Sequence, residues 1–285
     1  MHPYTAFVEK VTAVRADGRE LPLGGLPPCA RVTLADDAPR ALILSPHPDD
    51  ECIIGGLPLR LLREGGWRVV NVAVTQGSNR DRQAARLEEV RAACGFLQFD
   101  LVTTAPGGLE GINPATRDRD HGHWAGCVNV IARLLAEQRP RAIFFPHELD
   151  WNSTHIGVHF LVMDALRALP VEFEAWTIET EFWGQMPTPN LMVESSAADV
   201  ADLIAGTSFH VGEVRRNPYH LIQPAWMQDN VRRGGELVGG QGKGPPDFIF
   251  ATLYRLRRWA RGELVPAWVG GRHLAAGEDL KGLFV

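Results

Sequence analysis

The apolar run Ala41-Leu42-Ile43-Leu44, ended by Ser45-Pro46-His47-Pro48-Asp49-Asp50-Glu51, constrains this chain more than any other stretch. A short apolar run closed by proline predicts a buried β-strand. The polar residues after it then sit at the strand's carboxyl end, where open α/β sheets gather ligands and chemistry. One imidazole and two carboxylates on neighbouring positions, stiffened by two prolines, form a donor set suited to Zn2+. The same residues also suit a plain turn whose aspartates cap a helix, so the metal reading needs a second cluster.

A second run ends in the same way. Ala142-Ile143-Phe144-Phe145 leads into Pro146-His147-Glu148-Leu149-Asp150-Trp151-Asn152-Ser153-Thr154-His155. In a parallel sheet both runs finish on one edge, so the two clusters can meet. His47, Asp50 and His155 would supply three protein ligands and leave one position for water, as in catalytic zinc centres. Asp49, beside one ligand but pointing elsewhere, would be free to take a proton. His155 and His159 also form an H-x-x-x-H pair, but Ile156 stands where the zincin pattern has Glu, and His159 lies on an apolar helix face that favours a packed histidine.

The intervening pattern is strand and helix by turns. Leu57–Glu64 and Arg80–Leu97 read as helices, Trp67–Thr75 as a parallel strand, and Leu101-Val102 as the start of another. Ala105–His123 is expected as a polar surface loop. Helices follow at Asn129–Gln138 and His155–Leu169, a strand at Phe173–Phe182, a helical piece at Ala197–Ile204, and then a less regular tail with a flexible glycine-rich loop at Gly234-Gly235 and 239–246. This predicts an α/β fold, a three-layer αβα arrangement around a Rossmann-like, mostly parallel sheet. Residues 1–39 are expected as a small β-rich extension, with a strand at Phe7–Val14, a turn at Ala16-Asp17-Gly18-Arg19 and a strand at Cys29–Leu34; residues 40–285 form the main domain.

Composition excludes more than it assigns. A net charge of -5 over 285 residues argues against a nucleic-acid partner, which needs a basic face. The four cysteines are widely spaced and lack a C-x-x-C, so they are expected as reduced thiols. No leader-like start and no apolar run of the roughly 18–20 residues that span a bilayer are present. A cytoplasmic protein with no membrane span is therefore expected, its state as monomer or homo-oligomer left open.

The order of Pro46-His47-Pro48-Asp49-Asp50-Glu51, Thr75-Gln76-Gly77, Arg86-Leu87-Glu88-Glu89 and Asn152-Ser153-Thr154-His155 resembles the PIG-L/LmbE-like family of zinc-dependent N-acetylglucosaminyl deacetylases. The resemblance spans about Ala41 to Leu169. It implies metal ligation by His47, Asp50 and His155 and general-base work by Asp49. Asn152 stands where the family usually has a histidine that steadies the oxyanion or protonates the leaving amine; an amide can donate a hydrogen bond but cannot shuttle a proton. Either Asp49 then makes both proton transfers or another residue, such as His159, His210 or His220, helps as an acid. The resemblance implies Arg86 and Glu110 as substrate contacts; His121, in the polar loop, and Trp151, as a ring to stack on a sugar face, are further candidates on their own chemistry. The implied reaction is removal of an acetyl, or similar acyl, group from an N-acetylglucosamine-type sugar or glycoconjugate by metal-activated water. Two alternatives stay open: an amidase of the same scaffold cleaving a larger acyl or thiol conjugate, and a non-catalytic metal- or sugar-binding protein. Two histidines and a carboxylate also suit divalent ions other than zinc.

Overall fold

The first helix, α1 (Pro3–Gly18), stands where a β extension is expected. Pro3 fits a first helical turn, and Tyr4, Phe7, Val11 and Val14 recur at helical spacing, so the β-branched residues align on one face of a helix instead of alternating across a strand. Asp17-Gly18 ends that helix and makes no hairpin. The expected strand at Cys29–Leu34 is also absent: the segment runs over the helical layer with one main-chain bond, Cys29 N to Phe96 O at 2.9 Å, and places Cys29, Val32 and Leu34 against the core without a strand partner. The computed structural model describes residues 2–285.

From Arg40 the alternation appears as expected. β1 (Arg40–Ser45) is followed by α2 (Asp50–Ile53), α3 (Leu57–Arg63), β2 (Arg68–Ala73), α4 (Arg80–Leu97), β3 (Asp100–Thr103), α5 (Pro114–Arg119), α6 (His121–Gln138), β4 (Ala142–Pro146), α7 (Ser153–Ala168) and β5 (Ala175–Thr180). These five strands are parallel in the order β3-β2-β1-β4-β5. The winding reverses between β1 and β4, which opens a crevice at their carboxyl ends.

The three layers are visible in β1 itself. Ala41 and Ile43 face a cluster that includes Leu61, Val90 and Leu97, whereas Leu42 and Leu44 face Ile131, Val158 and Leu161. Strand side chains alternate between faces, so a continuous apolar run is what a sheet covered on both sides requires.

The remainder widens the sheet. β6 (Leu191–Glu194), α8 (Ala197–Ser208), α9 (Val211–Val214), a 3-10 turn at Tyr219–Ile222 and α10 (Gln223–Leu237) lead to β7 (Ala251–Ala260), β8 (Glu263–Pro266) and β9 (Arg272–Leu274). Gly234 and Gly235, expected in a flexible loop, are instead buried in α10. β7 pairs antiparallel with β5 and carries β6 and then β9 beyond it. The tail expected to be irregular thus supplies the longest strand, in which Arg255 and Arg257 break the apolar pattern because both pair with the buried Glu179 of β5. The polar stretch expected as a loop at 105–123 holds α5 and the start of α6, capped by Asn113, which accepts from Thr116 N at 2.9 Å, and Asp120, which accepts from His123 N at 3.1 Å. All four cysteines are free. Among the described residues no helix is long and apolar enough to cross a membrane.

Candidate active site

Both polar clusters reach the crevice. β1 delivers His47, Asp49 and Asp50; the loop after β4 and the first turn of α7 deliver Asn152 and His155. His47 Nδ1 lies 3.1 Å from His155 Nε2, and Asp50 Oδ2 lies 3.4 Å from His155 Nε2 and 3.6 Å from His47 Nδ1. Donors about 2.0–2.1 Å from one tetrahedral ion stand roughly 3.3–3.4 Å apart, so the three atoms match the edges of a single coordination shell. Asp50 Oδ1 is buried without a hydrogen-bond partner, an orphan that a cation in this cradle would satisfy. The residues fit a divalent ion.

The electrostatics agree with the spacing. Burial alone would lower the pKa of the His155 imidazole, but the carboxylates of Asp50 and Asp150 outweigh it and push it up to about 10. Burial likewise opposes the charge on Asp50, yet His155 and His47 hold its carboxyl well below the usual range. The pocket is thus built to hold positive charge between carboxylates, whether carried by a proton or by a metal. Asp150, given no role by sequence reasoning, orients the ligand: its Oδ1 lies 3.6 Å from His155 Nδ1, and its carboxylate accepts from the main-chain N–H groups of Asn152, Trp183 and Gly184 at 2.9, 3.1 and 3.2 Å. A carboxylate behind the far ring nitrogen favours a proton on Nδ1 electrostatically and so leaves Nε2 free for a metal.

Asp49 sits beside His47, Asp50 and His155 in a backbone conformation that aspartate rarely adopts, with φ 114°. Such a residue costs on the order of 1–3 kcal/mol and persists only where its neighbours impose it. Three neighbours do so. Its N–H donates to Glu51 Oε2 at 3.0 Å, and Glu51 is itself paired with His210 Nε2 at 2.7 Å. Its Oδ2 accepts from Tyr219 Oη at 2.6 Å. Arg86 donates to Pro48 O at 2.9 Å and stands 4.0 Å from Asp49 Oδ2. Burial, with the Asp50 charge added, pushes the Asp49 carboxyl up to about 7, the range in which a general base works best near neutral pH.

The remaining sequence-derived residues divide. Arg86 is spent beneath the loop, supporting Pro48 and Asp49. Glu110 borders a polar cavity of about 490 Å3 that also includes His47, Thr75, Arg80 and Ser153, and it pairs with Arg80 at 2.8 Å. Trp151 is 76% exposed and lines a separate aromatic cleft. His121 is exposed at the start of α6 and borders neither cavity. Asn152 Oδ1 caps α7 by accepting from Thr154 N at 2.8 Å, so the Nδ2 amide is the end left to donate. Of the histidines considered as acids, His210 is buried against Glu51 and His159 Nδ1 lies 3.1 Å from Pro146 O. His220 is buried too, which lowers its pKa. Tyr219 and Asp150 were the residues sequence reasoning missed. Tyr219 acts 170 positions from Asp49, whereas Asp150 stands in the same run as His155, where nothing in the residue pattern marks it out from Glu148.

Residues 42–166 match the family model described as PIG-L, GlcNAc-PI de-N-acetylase. No curated protein matches the chain. Among solved structures, the N,N'-diacetylchitobiose deacetylase of Pyrococcus horikoshii is 16% identical with a TM-score of 0.55, covering 77% of this chain and 84% of that one. A teicoplanin deacetylase, Orf2, solved in a zinc-inhibited form, is 14% identical with a TM-score of 0.52 over 76% and 97% of the two chains. The 4-carboxy-2-hydroxymuconate hydratase GalB of Pseudomonas putida is 16% identical with a TM-score of 0.56 over 76% and 95%. At these identities the likeness is one of fold, and a hydratase among the neighbours means that the reaction must be argued from the site.

Proposed function

The chain carries a PIG-L domain, and on that premise we propose that it is a metal-dependent amide hydrolase that removes an acetyl or similar N-acyl group from a sugar-type amine. The observation that carries the reading is the meeting of His47 Nδ1, Asp50 Oδ2 and His155 Nε2 within 3.1–3.6 Å of one another, with an unligated carboxylate held alongside. A divalent ion bound there, zinc or another, supplies Lewis acidity to the acyl carbonyl and lowers the pKa of water.

The protein's own residues do the rest. Asp49 takes the proton from the attacking water, and because Asn152 cannot carry one, the same carboxyl returns it to the amine nitrogen as the carbon–nitrogen bond breaks. Tyr219 holds the carboxylate oxygen toward the reaction, and Arg86 and Glu51 hold the backbone that presents it. The Asn152 amide donates to the oxyanion as it forms. Water contributes oxygen to the acid product and one proton, through Asp49, to the departing amine; the second water proton passes from the acid product to the amine, so that they leave as carboxylate and ammonium. The polar cavity beside His47, bordered by Glu110 and Arg80, receives the sugar hydroxyls.

The test joins metal analysis of the purified protein to a screen for released acetate over N-acetylglucosamine derivatives. Asp49→Asn should keep the metal and lose about 10²–10⁴-fold in kcat. Turnover that survives this substitution would remove Asp49 as the base.

A further inference from the structure

A second cavity adjoins the site on the side away from the sugar residues. It measures about 260 Å3; Ile53, Trp151, Phe182, Trp183, Trp226 and Met227 form its apolar lining, and polar residues that include Glu181, Asp229, Asn230 and Arg233 complete it. That is close to the lower end of small-molecule sites, roughly 300–1,000 Å3, large enough for one ring or a short chain and too small for a glycan. Its walls back onto the reaction centre through buried aromatic rings. Phe182 packs edge-on against His155, with ring centroids 5.1 Å apart. Trp183 meets Tyr219 and Trp226 edge-on at 5.5 and 5.6 Å, and Tyr219 is the residue bonded to Asp49.

The charged residues of the cleft pair with one another, and Asp229 Oδ2 lies 3.4 Å from Arg233 Nε. Arg233 Nη1 donates to Glu181 Oε1 at 3.0 Å, and the same Glu181 oxygen accepts from Met186 N at 2.6 Å. What remains is aromatic and aliphatic surface interrupted by the amides of Gln185 and Asn230, and the apolar part supplies binding strength through its area. The polar cavity borders His47, whereas the aromatic cleft meets the site through Phe182 at His155. An amide whose carbonyl lies between these histidines sends its amine half one way and its acyl half the other.

We propose that the aromatic cleft is an acyl-binding site, and that the preferred substrate carries an N-acyl group larger than acetyl, a short aliphatic chain or a single aromatic ring. This rests on the hydrolase reading above and specifies the acid half of its substrate.

The test uses the full-length, metal-loaded enzyme with glucosamine bearing acetyl, butyryl, hexanoyl or benzoyl on nitrogen, and the 4-nitrophenyl glycoside of N-acetylglucosamine as a probe of the other side. Each methylene that enters the cleft should raise kcat/KM about fourfold, and Trp226→Ala should flatten that series to about twofold or less overall. In parallel, quenching of tryptophan fluorescence by hexanamide and by benzamide reports occupancy of the cleft without turnover, and should saturate in the wild type and be lost in Trp226→Ala. A flat or falling series in an enzyme that releases acetate overturns the acyl assignment and leaves the hydrolase reading standing. A gain with the nitrophenyl glycoside alone, lost in Trp226→Ala, overturns it in favour of an aglycone site. Saturable quenching that Trp226→Ala abolishes supports the cleft even where no acyl sugar is cleaved, an outcome that defeats the hydrolase reading instead.

Discussion

At the scale of single residues, the site depends on how an unusual aspartate is held. The Tyr219 phenol donates at 2.6 Å to Asp49 Oδ2, and hydrogen bonds to charged groups contribute about 1.5–3 kcal/mol. Tyr219→Phe should therefore lower kcat by about tenfold or more with KM and metal content little changed. Because the phenol favours the carboxylate form, its loss should also move the acid limb of the rate profile to higher pH; steady-state kinetics across pH read both. Behind it, the buried Glu51–His210 pair fixes the Asp49 N–H. Burial opposes charge on His210, but Glu51 overcomes this and raises the pKa above its ordinary 6.5. A raised histidine pKa contributes stability that is complete below about 6.5 and fades as pH climbs through the folded value. Glu51→Gln leaves the imidazole without its counter-charge and should cost about 3 kcal/mol in urea denaturation near about pH 6, with a smaller loss near about pH 9.

At the scale of elements, what could be read from the sequence followed burial. β1, β2, β4 and β5 lie between two helical layers, so burial on both faces writes their apolar runs into the chain, and all four strands stand where the residues predict. α1 misled because it buries nothing: Tyr4, Phe7, Val8, Val11 and Val14 are all exposed. Without a packed face the β-branched residues suggested a strand, although their spacing of three and four already favoured a helix. β7 misled in the opposite way, since Arg255 and Arg257 mask a buried strand whose charges are balanced by Glu179. The site split along the same line. His47, Asp49, Asp50 and His155 lie in two short motifs at strand ends, whereas Tyr219 and the Glu51–His210 pair work through contacts that only the folded chain creates. The exposure of α1 leads to its own prediction. Its packing is confined to its end, where Gly18 meets Leu221, so deleting residues 2–18 should shift Tm by no more than about 2 °C and leave kcat unchanged. It should also reduce self-association in sedimentation experiments, because an apolar stripe of this kind is an adhesive surface.

At the scale of the molecule, the crevice between β1 and β4 is where the sheet order reverses, and the His47–Asp50–His155 cluster bridges it: His47 and His155 lie 108 positions apart in the chain. An ion bound there, as proposed, would tie together the carboxyl ends of two neighbouring central strands and neutralise a pocket in which Asp49, Asp50 and Asp150 are all buried. It would bind a geometry that the unfolded chain lacks, so its binding free energy would add to folding. At a free-ion concentration about 1,000 times Kd the gain is about 4 kcal/mol, and for a chain of this size each kcal/mol moves Tm by roughly 2–4 °C. Chelation should therefore lower Tm by about 10 °C, and restoring the ion should reverse the change. His155→Ala should start near the chelated value and respond little to either treatment, because the cradle has lost one of its three donors. Calorimetry with metal analysis on the same samples decides the matter. An ion that leaves without moving the wild-type transition would mean that the two loops are held together by their carboxylate and histidine contacts alone, and that the metal contributes to chemistry without contributing to the fold.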